Sequence, residues 1–176
     1  MSTPSILFVC LGNICRSPLA EAAFRKAADE AGLEVHVASA GTAGYHVGEA
    51  PDPRTIAEAR QRGVDVTGYR GRQLAAQDFH DFDYIFGMDR SNMANIARVD
   101  PGDGRARVAM LLDIVPGQEG REVADPYYGG ADGSAFEEID IEDPDSVVDS
   151  AQIKWRGGSP AARFSGHARV HRELTL

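Results

Sequence analysis

Cysteine is scarce in this chain: of 176 residues only Cys10 and Cys15 carry thiols, and both fall in one short segment. Two thiols so placed build no disulfide framework and fit a reducing compartment. No basic stretch followed by an apolar core opens the sequence, and no apolar run approaches the ~20 residues of a membrane helix. The expectation is a cytoplasmic protein with no membrane contact. Positive charge is also in deficit, with 18 Lys and Arg against 27 Asp and Glu and a formal net charge of −9. An acidic body repels a phosphate backbone, so broad nucleic-acid binding is excluded. A small anionic ligand is not, because its capture needs only local donors. Metal-ligand clusters are wanting too: His167 and His171 stand at i,i+4 with no third ligand, and no metal is expected. Pro101-Gly102-Asp103-Gly104 lacks the strand before and helix after that a nucleotide loop requires, so no cofactor is assigned.

What the chain does have is the segment Cys10-Leu11-Gly12-Asn13-Ile14-Cys15-Arg16-Ser17, set between the apolar run Ile6-Leu7-Phe8-Val9 and Pro18. It reads as strand, tight loop, helix, with Ser17 as N-cap and Pro18 at the first helical position. A thiol at the strand's end and a guanidinium at the helix start would surround one point with donors. Loop and first-turn amides lack partners of their own, and the helix dipole adds partial positive charge. That point suits a phosphate-like dianion, and the same field favours Cys10 as a thiolate nucleophile. Arg16 offers a planar fork for two oxygens, and Ser17 can donate to the sulfur or hold the loop. The plainer reading, a small buried Cys and a surface Arg, would be preferred for a bare Cys-x5-Arg; the strand-to-helix setting outweighs it. Cys15 lies near enough to attack an oxidised Cys10, or else packs beneath the loop.

The remaining chain alternates strands and helices. Strands are expected at Ser5 to Val9, Glu34 to Ala38, Asp83 to Met88 and Arg107 to Leu112, and helices at Pro18 to Ala31, Pro53 to Arg62 and Asn92 to Val99. On the first helix Ala20, Ala23, Phe24, Ala27, Ala28 and Ala31 form the apolar stripe, while Glu21 and Arg25 pair on the other face. Arg54, Arg60 and Arg62 read as a solvated face, and Val64 to Leu74 as a connector with weak strand character. Asp89, at a strand's carboxyl end, is read as a helix cap. The pattern predicts a single doubly wound α/β domain with a four-stranded parallel sheet, its ligand at the strands' carboxyl ends, where Cys10 lies. Later in the chain, Asp125-Pro126-Tyr127-Tyr128 places a carboxyl beside two aromatic rings. Phenolate departure from phosphorus calls for such an acid, and the rings suit a wall for a phenyl group.

The run Val9 to Pro18 resembles the signature loop of the low-molecular-weight protein tyrosine phosphatases, and Asp125 to Gly130 resembles that family's second signature. The resemblance implies strand order 2-1-3-4, Cys10 as nucleophile, Arg16 as phosphate clamp, Asp125 as general acid and no cofactor. It also implies Leu11, Gly12, Asn13, Ile14, Cys15 and Ser17 as the substrate-binding loop, Ser39 as its support, and Tyr45, Tyr127 and Tyr128 as pocket walls. Tyr69 stands where a histidine is common, and a phenol would take over its loop-supporting hydrogen bond only in part. The expected partners are phosphotyrosine-containing proteins and a cognate tyrosine kinase. Arsenate reduction on the same scaffold would need further cysteines. Phosphoarginine hydrolysis goes with a threonine at the position of Ile14 and no aromatic pair, and a phosphopeptide-binding module would follow if the loop were disabled.

The resemblance covers residues 1–133 as a phosphatase domain and fades thereafter. Residues 134–155 hold the place of a final helix but are interrupted at Glu142-Asp143-Pro144-Asp145. Residues 156–176 carry a net charge of +3 against −12 for the rest and read as a disordered tail. The abrupt change fits a shifted reading frame better than a genuine lineage-specific tail.

Overall fold

The computed structural model describes residues 3–115 and 117–128. The expected final helix, the basic tail, Gly129, Gly130, His167 and His171 lie outside the described residues. Element order is β1 (Ser5–Cys10), α1 (Arg16–Glu30), β2 (His36–Gly41), α2 (Pro53–Gln61), α3 (Asp78–Asp81), β3 (Tyr84–Gly87), α4 (Arg90–Val99) and β4 (Arg107–Met110). Two 3-10 turns follow, Leu111–Ile114 and Pro126–Tyr128. All strand pairs are parallel in the order β2-β1-β3-β4, as anticipated.

β1 is buried along its whole length because it is central and covered on both faces. Its period of two divides the core: Ile6, Phe8 and Cys10 meet Phe24, Ala27 and Ala28 of α1, while Leu7 and Val9 meet Phe79, Phe82 and Ile96. Phe8 packs with its ring centroid 5.8 Å from Phe24 and 6.0 Å from Phe86. This packing fixes where β1 ends, and therefore where Cys10 sits.

Several boundaries differ from the sequence reading for physical reasons. β2 runs to Gly41, pairing Cys10 with Gly41, so Ser39 belongs to a strand rather than to a loop. A Cβ on Gly41 would lie 2.7 Å from the Leu11 carbonyl oxygen, and only glycine lets the two backbones approach so closely. α1 begins at Arg16, with Cys15 at the N-cap and no side-chain cap bond, because the Ser17 hydroxyl is turned inward instead. Its buried face is wider than one stripe: Leu19 and Ala22 pack separately on Ala59 and Val66. Glu21, read as a surface residue, is buried. In the Val64 to Leu74 connector the one bridge is Gln73 to Gly41. The single turn α3 is too short to show a period, and its Asp78 is held by both Arg72 guanidinium nitrogens, at 3.0 and 2.9 Å.

Candidate active site

β1, with residue-by-residue alternation, delivers the Cys10 sulfur to the carboxyl end of the sheet. The chain then turns sharply, with Asn13 in the left-handed region at φ 57°, a conformation asparagine tolerates better than most residues. Among the described residues the amides of Gly12, Asn13, Ile14 and Cys15 donate to no protein acceptor. Such a row of free N–H groups leading into a helix N-terminus forms a concavity for an anion.

Asn13 holds this turn. Its Oδ1 accepts from the Arg72 amide at 3.0 Å, while its Nδ2 donates to Ser17 Oγ at 2.8 Å and to Ser39 Oγ at 3.0 Å. Ser17 Oγ in turn lies 3.0 Å from the Cys10 sulfur. Tyr69 does not reach Ser39. The Ser39 hydroxyl donates to Glu21 Oε2 at 2.6 Å, Arg25 holds Glu21 Oε1 at 2.8 Å, and the Tyr69 phenol stands beside Arg25. Burial, then the Glu21 charge, pushes the Tyr69 phenol up.

Arg16 is 2% exposed, and a guanidinium so deeply placed must be paired. Its Nη1 donates to Asp89 Oδ2 at 2.6 Å and to the Val123 carbonyl at 2.9 Å, and its Nη2 to Asp125 Oδ2 at 3.1 Å. Asp89 therefore does more than the cap predicted for it: Oδ1 accepts from the Asn92 amide at 2.7 Å to start α4, and Oδ2 orients Arg16. The carboxyl end of a strand was the signal available in sequence.

A cleft of about 230 Å³ brings together Cys10, Leu11, Gly12, Ile14, Cys15, Arg16, Tyr45, Asp125 and Tyr127, and adds His46, which sequence reasoning missed. Nothing but adjacency to Tyr45 could have flagged His46. Its ring lies 3.0 Å from where a Gly12 Cβ would stand, and its Nδ1 lies 2.7 Å from Glu49. Asn13, Ser17 and Ser39 stand behind the cleft rather than in it. Tyr45 and Tyr127 are exposed at the mouth, and Tyr128 ends the last 3-10 turn with its side chain outside the described residues. Arg54 is not simply solvated: its guanidinium sits 5.8 Å from the Tyr127 ring centroid while gripping Asp52. That guanidinium holds the Asp52 carboxyl below the usual range. Cys15 is the opposite of a reactive thiol: burial, then the Asp52 charge, pushes it up to about 12, so it stays protonated.

A doubly wound α/β domain whose central strand ends in a thiol, beneath a row of free amides and a buried arginine, has the build of a cysteine-based phosphatase. The comparisons agree. The family model for low molecular weight phosphotyrosine protein phosphatase matches residues 5–145, and the chain belongs to that family. A relative from Schizosaccharomyces pombe, the low molecular weight phosphotyrosine protein phosphatase, is 49% identical over 73% of this chain and 83% of its own. The crystal structure of Primo-1 superposes with a TM-score of 0.78 at 37% identity, covering 89% of this chain and 100% of that one. YfkJ from Bacillus subtilis gives 0.77 at 36% identity, covering 89% and 97%. No described helix is long and apolar enough to cross a membrane.

Proposed function

We propose that this chain hydrolyses phosphotyrosine in proteins through a phosphocysteine intermediate, with Cys10 as nucleophile, Arg16 as oxyanion clamp and Asp125 as general acid. The observation that carries this reading is the convergence of the Cys10 sulfur, the free loop amides, the Arg16 fork and Asp125 on one cleft walled by Leu11, Ile14, Tyr45 and Tyr127. Loop and arginine bind the three equatorial oxygens, where charge accumulates during phosphoryl transfer. The sulfur attacks phosphorus in line, the bond to the phenolic oxygen breaks, and Asp125 gives that oxygen its proton. Water then attacks phosphorus, the sulfur departs, and Asp125 takes up the proton. Asp89 keeps the guanidinium plane fixed throughout, while Asn13, Ser17 and Ser39 keep the loop in shape. The apolar mouth suits a phenyl ring rather than a short aliphatic chain.

Two unpaired, buried thiols suit the reducing cytoplasm. A tyrosine kinase working on the same proteins is the natural counterpart. The test compares phosphate release from phosphotyrosine, phosphoserine and phosphoarginine peptides by fresh, reduced protein in the presence of chelator. Release from phosphotyrosine alone, abolished by Cys10→Ser, is expected. Tight phosphotyrosine-peptide binding without release, or preference for phosphoarginine, would overturn the assignment.

A further inference from the structure

We propose that Arg54 is a positioning residue that holds Tyr127, and with it the loop carrying Asp125, in register with the phosphate turn, a role that rests on the proposed parts of Cys10 and Asp125 in the reaction. The start of α2 is tied directly to that turn. The Asp52 amide donates to the Ile14 carbonyl at 2.9 Å, so the residue that caps α2 is fastened to the loop that would receive the phosphoryl group. The Asp52 carboxylate then grips the Arg54 fork at two points, Oδ1 accepting from Nε and Oδ2 from Nη2, each at 2.9 Å. A guanidinium held at two points keeps its plane. Its central carbon stands 5.8 Å from the centroid of the Tyr127 ring, within the ~6 Å over which a cation is drawn to an aromatic face.

Tyr127 needs such a hold, because it is 47% exposed and belongs to a single 3-10 turn. Upstream the same segment is tied down at Val123, whose amide donates to the Met88 carbonyl at 2.8 Å and whose own carbonyl accepts from Arg16 at 2.9 Å. Arg54 meets the segment again at Tyr127. Between these two holds lies Asp125, with Oδ1 accepting from the Tyr127 amide and Oδ2 from Arg16 Nη2, both at 3.1 Å. The contacts close a ring around the cleft, from Ile14 through Asp52, Arg54, Tyr127 and Asp125 to Arg16 and back along the turn. Displacing Tyr127 moves the amide that orients the acid. An acid out of line delivers its proton poorly to the phenolic oxygen as sulfur bonds to phosphorus and the phosphorus–oxygen bond breaks. The loss falls hardest on poor leaving groups, which depend most on that proton. A stack that merely covers surface would leave selectivity between leaving groups alone.

The readout is the ratio of kcat/KM for phenyl phosphate to that for p-nitrophenyl phosphate, whose phenolate leaves with less help, measured on the full chain. Arg54→Met keeps an unbranched stem and removes the fork. It is expected to shift the ratio against phenyl phosphate about 2- to 5-fold, the order that a cation–π contact at a partly exposed site allows. Taking the ratio within each enzyme cancels any difference in active fraction, and a thermal melt checks that the variant folds. In a Tyr127→Leu background Arg54→Met should shift the ratio little further, since the contact it removes is already gone. An unmoved ratio in folded Arg54→Met protein, or equal shifts in the two backgrounds, would overturn the positioning role. Should Arg54→Met fail to fold, Arg54→Lys, which trades the fork for a point charge, is put to the same two comparisons. Wild-type protein inert toward both esters would sink the parent reading instead.

Discussion

Replacing Asn13 by alanine and by glycine separates two contributions that one residue makes to the loop. Alanine removes both Nδ2 donations and leaves the Arg72 amide without its acceptor, and it must also adopt φ 57°. Ser17 and Ser39 keep other partners, so the main orphan is that one amide, worth about 1–3 kcal/mol, with roughly 1 kcal/mol more for the two lost donations. The left-handed backbone adds about 1 kcal/mol for alanine that glycine does not incur, partly offset by the greater freedom of unfolded glycine. The expected losses are about 3–5 kcal/mol for Asn13→Ala and about 0.5–1 kcal/mol less for Asn13→Gly, read from urea unfolding at unchanged slope. Alkylation of Cys10 should slow in both variants, since both release the Ser17 hydroxyl that Asn13 holds beside the sulfur. Equal stabilities for the two variants would refute the backbone part of the reasoning. A loss under ~0.5 kcal/mol in either would refute the hydrogen-bond part.

Four further outcomes are expected. Asp89→Ser keeps a capping oxygen for α4 but takes one carboxylate from the buried Arg16, so kcat/KM for an aryl phosphate should fall about 10- to 100-fold and stability by about 1–3 kcal/mol, whereas Asp89→Ala should lose the cap as well, about 1 kcal/mol more. Gly41→Ala thrusts a methyl group against the Leu11 carbonyl, backbone against backbone, and should cost about 1–3 kcal/mol and a larger share of activity, checked by thermal melts and steady-state kinetics. Asp52 accepts from the Arg54 amide at the start of α2, and its carboxyl is held low by Arg54. A depressed value stabilises the fold above the unfolded carboxyl's range and is lost as pH falls through it, so the deficit of Asp52→Ala, about 1 kcal/mol at neutral pH, should close below pH ~4. Mass mapping after iodoacetamide treatment at neutral pH should find label on Cys10 and none on Cys15, which burial keeps protonated.

The succession of strands and helices and the loop were legible because both rest on short-range signals: the apolar run of β1, helical spacing in α1, and a signature that concentrates Cys10, Asn13, Arg16 and Ser17 in one turn, whereas the sheet order came only from the family resemblance. What escaped depends on long-range packing. Glu21 and Arg25 look like an ordinary i,i+4 surface pair, and only the path of β2 beside them shows that Glu21 is buried against Ser39. Ser17 satisfies the local rules for a helix cap, yet a buried sulfur and Asn13 compete for its hydroxyl and win. Arg54 reads as solvated until the loop carrying Tyr127 arrives over it. His46 carries no periodic or compositional mark, and its place in the cleft follows from the path of the loop after β2.

The Arg16 fork joins carboxylates that lie 73 and 109 residues further along the chain. Closing spans of that length is entropically unfavourable until the sheet has formed to hold their ends. A nascent or partly unfolded chain can therefore possess the whole phosphate turn and still be unable to turn over substrate. Competence is a property of the finished molecule, gained in a late step of its assembly and the first to be lost when the far loops peel away.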